Sequence, residues 1–274
     1  MKFFRPRGRH ETGRTAASPL DKAAALYGAG RYAEAEAEAR AVAGSRRRND
    51  PYAPLALGVA ALATGAQGRH AEALAAYDAL LPAFAATFGA EHPQALKVRS
   101  DRAQTLSALG RYSESEAECE AVARAAARGA GPEMPLVVAA ARNGLIYALG
   151  AQGRHPEAEA LAREALAAHR EQDRFALVLR LGLVRSLNGQ ARHEEALAEA
   201  ERADELHGRL PAEQRRAETG AVELALAGAL LGLGRGAGAR ARAVSAHDAC
   251  LAAFGPDHRR TVEARALLDR IDSA

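Results

Sequence analysis

The side chains of this sequence that most readily take part in chemistry belong to its nine histidines and two cysteines. An imidazole can serve as general acid, general base or metal ligand, and a thiolate can serve as nucleophile or ligand. Cys119 and Cys250 show neither CxxC nor zinc-type spacing, so we predict buried, reduced thiols. Five histidines recur at equivalent places of a repeated pattern, and the other four show no ligand spacing. The recurring ones are His70, His92, His155, His193 and His258, and the others are His10, His169, His207 and His247.

Sequence motifs of the common enzyme classes are missing as well. The chain contains no HExxH, no P-loop and no GxSxG, which removes the usual starting points for a metalloprotease, a nucleotide hydrolase or an α/β-hydrolase. The segment from Gly232 to Ala237 fits G-x-G-x-x-A. A dinucleotide site needs a strand before that motif, however, and residues 221–231 have a helical pattern. We therefore predict a protein without catalytic activity, metal ion or cofactor.

The composition favours helices and a nearly neutral folded body. Alanine, the strongest helix former, accounts for 71 of the 274 residues, whereas aromatic residues make up only 4%. The net charge of +3 comes from residues 1–20, which carry five basic residues and one acidic residue. Nucleic-acid binding is therefore expected, if anywhere, only through that basic segment. No uninterrupted apolar stretch approaches the roughly 18 residues of a membrane span, so we predict a cytoplasmic protein without membrane contact.

A hexapeptide recurs six times along the chain at intervals of about forty residues. Its clearest copies read Gly-Arg, then Tyr or His, and a Glu two residues further on. We expect the glycine to end one helix in the left-handed backbone conformation, and the ring to wedge between that helix and the next. Each unit thus predicts two antiparallel helices joined by a hinge. The six copies begin at Gly30, Gly68, Gly110, Gly153, Ala191 and Gly234, the fifth having lost its glycine.

These repeats resemble the tetratricopeptide repeat family, and in particular its longer-period branch typified by kinesin light chain and common in actinobacterial proteins. That branch carries a Phe/Leu-Gly-x-x-His-Pro-x-x-Leu linker after the second helix, which is present at 88–96 and less perfectly at 254–262. A degenerate copy at 131–136 and the Arg-Asn-x-Leu segment at 142–145 add to the resemblance. The resemblance implies an all-α, right-handed solenoid whose first helices line a concave groove. Stacking of repeats would supply the core that one helix pair lacks.

The predicted organisation is a flexible basic tail over residues 1–17 followed by a single solenoid over 18–274. A capping helix over 258–272 ends the solenoid. Its charged residues are expected to lie on the solvated surface: Arg259, Arg260, Glu263, Arg265, Asp269 and Arg270. The basic run from Arg46 to Arg48 is interpreted as a solvated loop. The six repeats are predicted near 18–48, 51–89, 92–130, 133–172, 174–209 and 211–255.

The repeat register predicts which residues face the groove. Positions six and ten residues before each hexapeptide lie one turn apart on the same face of the first helix. Polar and aromatic groups concentrate at these positions in repeats three to five. With two neighbouring charged residues they form the predicted site for a peptide or partner: Lys97, Asp101, Gln104, Asn143, Tyr147 and Arg185. In repeat two, Leu55, Val59 and Leu62 are expected to form an apolar strip covered by the protein's own tail, a second copy or a partner.

Some members of that family hold a partner's C-terminus with Lys/Asn and Lys/Arg pairs in this register. Gly58, Leu62, Ser100 and Gln104 occupy those positions here, which argues against such a clamp. An extended peptide fits better, because Asn143 can bond its backbone while basic groups meet its acidic side chains. We therefore predict a non-catalytic protein-interaction module. The alternative is a regulator or sensor whose groove ligand controls a partner, transcription-related if the basic tail contacts nucleic acid.

Overall fold

The computed structural model describes residues 18–47 and 50–273, so the basic tail 1–17 and Arg48 lie outside the described residues. All regular secondary structure in the described ranges is helical. The helices are α1 (Asp21–Gly28), α2 (Tyr32–Gly44), α3 (Tyr52–Ala66), α4 (His70–Phe88), α5 (Pro93–Ala108), α6 (Tyr112–Arg128), α7 (Met134–Ala151), α8 (His155–Ala168), α9 (Arg174–Gly189), α10 (His193–Arg209), α11 (Ala212–Ala217), α12 (Ala221–Gly232), α13 (Gly236–Phe254) and α14 (Arg259–Asp272).

Twelve of these helices form six hairpins, one within each predicted repeat range. The first helices of consecutive hairpins contact one another, as α5, α7, α9 and α12 do in succession. This stacking confirms the all-α solenoid, and α14 packs on α13 and α12 as its capping helix. The short helix α11, which precedes the sixth hairpin, was not predicted.

The hinge of each hairpin depends on a left-handed residue. The glycines that begin five of the hexapeptides have φ between +70° and +81°. At the fifth hinge Ala191 takes their place with φ of 58°, and it is the single non-glycine residue with positive φ in the described ranges. An L side chain is strained there, because its Cβ approaches the backbone carbonyl. The geometry of the hinge therefore forces Ala191 into a backbone conformation that alanine disfavours.

Replacing Ala191 with glycine should raise the free energy of unfolding by about 1 kcal/mol, because the strain disappears and the left-handed conformation is already in place. Urea unfolding followed by circular dichroism measures the change. The matched control is Ala160→Gly, at an exposed position inside α8, which should lower stability by about 1 kcal/mol. A destabilised Ala191→Gly variant would contradict the assignment of strain to this hinge.

The histidine rings of the fourth and fifth hexapeptides pack against the following repeat. A Cβ added at Gly189 would lie 2.3 Å from the ring of His155, and one added at Gly232 would lie 2.2 Å from the ring of His193. These glycines end the first helices of the next repeats. The rings thus wedge between successive repeats as well as between the helices of one hairpin, and a residue with a side chain would push them apart.

Polar clusters join some repeats to the next. In three junctions a glutamate of one second helix accepts a hydrogen bond from a glutamine and pairs with an arginine of the following repeat. The sets are Glu36, Gln67 and Arg69; Glu116, Gln152 and Arg154; and Glu159, Gln190 and Arg192. The hydrogen bond from Gln152 lowers the pKa of the Glu116 carboxyl. At the other two junctions, leucines replace this glutamate and glutamine. They are Leu74 and Leu109 at one junction and Leu197 and Leu233 at the other.

The core corrects one prediction and confirms another. Leu55 and Val59 are only 2% and 0% exposed, since repeats one and three enclose them, so the predicted apolar strip is wrong. Cys119 and Cys250 are free and buried, as predicted, and burial raises the pKa of the Cys119 thiol to about 11. By length and composition one described helix, α7, could cross a membrane, and 44% of it is buried inside the fold.

Candidate binding groove

The six predicted site residues lie on three neighbouring first helices. Contacts between α5 and α7 and between α7 and α9 place those helices side by side. Lys97, Asp101 and Gln104 lie on α5, Asn143 and Tyr147 on α7, and Arg185 on α9.

The two charged residues of the predicted site on α5 neutralise each other. The Nζ of Lys97 lies 2.6 Å from Oδ2 of Asp101, with the side chains 22% and 13% exposed. Asp101 also acts on its surroundings: burial and then the Asp101 charge raise the pKa of Tyr77. This side of the groove therefore contributes little net charge towards a ligand.

Two side-chain amides in the groove have no hydrogen-bond partner within the described ranges. Gln104 is exposed on α5 and Asn143 is half-buried on α7, one turn before Tyr147. Each amide offers both donors and an acceptor, which is the set that a peptide backbone can meet. These two residues are therefore available for hydrogen bonding to an extended chain.

Tyr147 is contacted by two arginines from different parts of the solenoid. The guanidinium carbon of Arg185 lies 5.1 Å from the centroid of the Tyr147 ring, and that of Arg259, on α14, lies 5.3 Å from it. Cation–π attraction holds both cations at the ring. Desolvation by the surrounding protein lowers the pKa of Arg185, Arg259 adds to the lowering, and Glu263 opposes it.

Arg259 reaches the groove because the two ends of the solenoid touch. A Cβ added at Gly30, the hinge of repeat one, would lie 2.1 Å from the carbonyl oxygen of Ala253 at the end of α13. The rings of Tyr32 and His258 stack with centroids 6.1 Å apart and planes inclined by 14°. We refer to this contact between repeat one and the segment 253–258 as the closure.

The linker after α13 also sets the start of α14. The Nδ1 of His258 accepts a hydrogen bond from the backbone amide of Arg260 at 3.3 Å, and its ring packs on Phe254 with centroids 4.4 Å apart. The equivalent His92 caps α5 in the same way, accepting from Gln94 and stacking on Phe88. The repeated Phe-Gly-x-x-His linker is thus a helix cap stabilised by ring stacking.

A buried carboxylate anchors the beginning of α14. Glu218 is 1% exposed, accepts from Nε of Arg174 at 2.6 Å and pairs with Arg260. Arg260 also donates to the carbonyl of Ala217 at 2.8 Å. The prediction that Arg260 lies on a solvated outer surface is therefore wrong, because α14 begins against the inner side of the solenoid. Its neighbour Arg259 is exposed, but towards the groove.

A cleft of about 520 Å³ lies beside these residues. Its walls come from the hinges of repeats two and three and from the start of α14. They include Arg69, His70, Tyr112, Tyr147, Asp257 and Arg259. In the part of the chain that the structure describes, no group of three or more His, Cys, Asp or Glu side chains could hold a metal ion. The arrangement offers hydrogen bonds and positive charge.

Comparisons with known proteins agree with the helical-hairpin solenoid described above. Models of the tetratricopeptide repeat match residues 52–126 and 138–171. No curated protein matches the chain. A Podosopora anserina protein described as a kinesin light chain with nearly identical TPR-like repeats is 22% identical, with a TM-score of 0.56, over 70% of this chain and 93% of that one.

Two further solved structures cover most of both chains. BtubC (BKLC) from P. vanneervenii is 18% identical, with a TM-score of 0.53, over 94% of this chain and 91% of that one. PlcR from Bacillus thuringiensis, in complex with the peptide PapR7 and DNA, is 14% identical, with a TM-score of 0.59, over 94% and 98%. Identities this low establish a likeness of fold alone.

Proposed function

We propose that this chain is a tetratricopeptide-repeat protein of the kinesin-light-chain-like type and that it acts as a non-catalytic module, binding a peptide or partner protein in its groove. The amides of Gln104 and Asn143 carry the proposal, because they face solvent on neighbouring helices without a partner among the described residues. Polar groups left open on a concave face suit the backbone of an extended ligand.

The similar fold of PlcR supports peptide binding as the proposed function, since that protein is seen in complex with a peptide. Its structure also contains DNA, which favours a regulator as the second candidate function for this chain. In that case the basic tail 1–17 would contact nucleic acid while the groove ligand controls a partner. We place either function in the cytoplasm, because Cys119 and Cys250 are free thiols.

Changing Gln104 and Asn143 together to alanine should weaken partner binding by more than tenfold, because each lost hydrogen bond contributes about 1 kcal/mol. Wild-type protein and variant are immobilised and exposed to an extract of the source cells, and the captured proteins are quantified by mass spectrometry. Partners are the proteins that the wild type retains and the variant loses.

The control for this experiment is Glu201→Ala, at an exposed position of the second helix α10. This variant should capture the same proteins as the wild type, and all three should share one helical circular dichroism spectrum. Equal capture by the double variant and the wild type would show that the groove amides do not bind the partner.

A further inference from the structure

Arg259, at the start of α14, places a second guanidinium at the Tyr147 ring, which Arg185 already contacts. Arg185 and Arg259 both lie near 5 Å from the centroid of Tyr147, although they come from repeat five and the capping helix. Two like charges that share one ring repel each other, and Arg259 accordingly lowers the pKa of Arg185. An anion that both arginines contact would relieve this repulsion.

Most other arginines of the solenoid already have such an anion. In five of the six hexapeptides the arginine pairs with the glutamate three residues later, as Arg31 does with Glu34. Arg185 and Arg259 form no ion pair within the described ranges. Glu263 influences Arg185 electrostatically but lies beyond ion-pairing distance. Both side chains are exposed to solvent and lack a paired carboxylate among the described residues, so both guanidiniums are open to an external anion.

The surrounding structure holds this pair of arginines in place. Arg260 is tied to the buried Glu218 and to the Ala217 carbonyl, which leaves the adjacent Arg259 directed into the groove. Stacking on Tyr147 restricts both guanidiniums while leaving their N–H edges able to donate. A preorganised pair of this kind loses little conformational entropy when it binds a carboxylate.

We propose that Arg185, Arg259 and Tyr147 form a binding site for an acidic side chain of the groove peptide, assembled from repeats four and five and the capping helix. Guanidinium groups bind carboxylates through paired, charge-assisted hydrogen bonds, which makes a glutamate or aspartate the matching ligand. The cleft beside Tyr147 and Arg259 provides the space. The site deepens the proposed function and rests on it. It exists only while the closure holds α14 against the groove.

The test uses the full chain and two synthetic probes, acetylated hexaglutamate amide and its uncharged counterpart, hexaglutamine amide. Isothermal titration at low salt should show binding of hexaglutamate and none of hexaglutamine. Arg185→Gln and Arg259→Gln should each weaken hexaglutamate binding at least tenfold. The matched control, Arg270→Gln, removes an exposed charge from the same helix and should keep the wild-type affinity.

Each opposing result overturns the site. The site is excluded if the wild type does not bind hexaglutamate. It is also excluded if all three arginine variants lose affinity equally, because that indicates unspecific attraction, or if Arg185→Gln and Arg259→Gln keep the wild-type affinity. If these results appear while Gln104→Ala/Asn143→Ala still loses its partner, the groove function stands and the anion site alone fails.

Discussion

Replacing Gly30 by alanine is expected to lower the free energy of unfolding by about 3 kcal/mol, whereas the same change at Gly110 should cost only about 1 kcal/mol. Both glycines begin a hexapeptide and have nearly the same φ, 76° and 75°, so both variants bear the strain of a left-handed alanine. They differ in surroundings. A Cβ at Gly30 would lie 2.1 Å from the backbone oxygen of Ala253, while nothing lies within 4 Å of one at Gly110.

The difference between the two variants therefore measures the closure. Urea unfolding gives the stabilities, and small-angle X-ray scattering should show a larger radius of gyration for Gly30→Ala alone. Hexaglutamate binding should weaken in Gly30→Ala and persist in Gly110→Ala, because Arg259 leaves the groove when the ends separate. Equal stability and equal dimensions of the two variants would mean that contact with Ala253 contributes nothing.

Acidification from pH 7.5 to 5 is expected to remove about 2 kcal/mol of stability through His258 alone. Burial, and then the charges of Arg260, Arg259 and His70, lower the pKa of this imidazole to about 4. In the unfolded chain the group titrates near its ordinary value of about 6.5. Between these values the unfolded state binds the proton and the folded state does not. Stability is thus complete above pH 6.5 and falls as the pH drops towards 4.

The variant His258→Asn isolates this contribution, because asparagine can still cap α14 but does not titrate. Unfolding free energies of wild type and variant are measured by urea at several pH values from 7.5 to 5. Their difference should shift by about 2 kcal/mol over that range, while effects of the carboxylates cancel. Parallel pH profiles for the two proteins would contradict the assignment.

The hinges of the solenoid were predictable because they rest on local chemistry. A glycine in the left-handed region ends one helix, and the Tyr or His two residues later starts the next, so each hexapeptide located a hinge to within a residue or two. Ala191 was recognised through its neighbours although its glycine is lost. Helix α11 escaped prediction because it fills a linker that has no counterpart at the other junctions.

The groove was predictable only in part, for a geometric reason. The register of the hexapeptides assigned Tyr147 and Arg185 to first helices, where they do lie close together. It contained no information on Arg259, which was expected at an outer end. Whether the last helix returns to the first depends on the angle between successive repeats, and small differences in that angle accumulate over six hairpins. No local sequence pattern encodes this accumulated angle.

The closure changes how the array should unravel. A linear stack of repeats frays from its two ends, since a terminal repeat has one neighbour instead of two. Here repeat one and the linker after α13 protect each other, so neither terminal hairpin can open without exposing the other. Amide exchange should then be as slow in α2 and α13 as in the middle of the chain. Loss of curvature in any single repeat would release both ends together, so the circular contact makes distant hairpins cooperative.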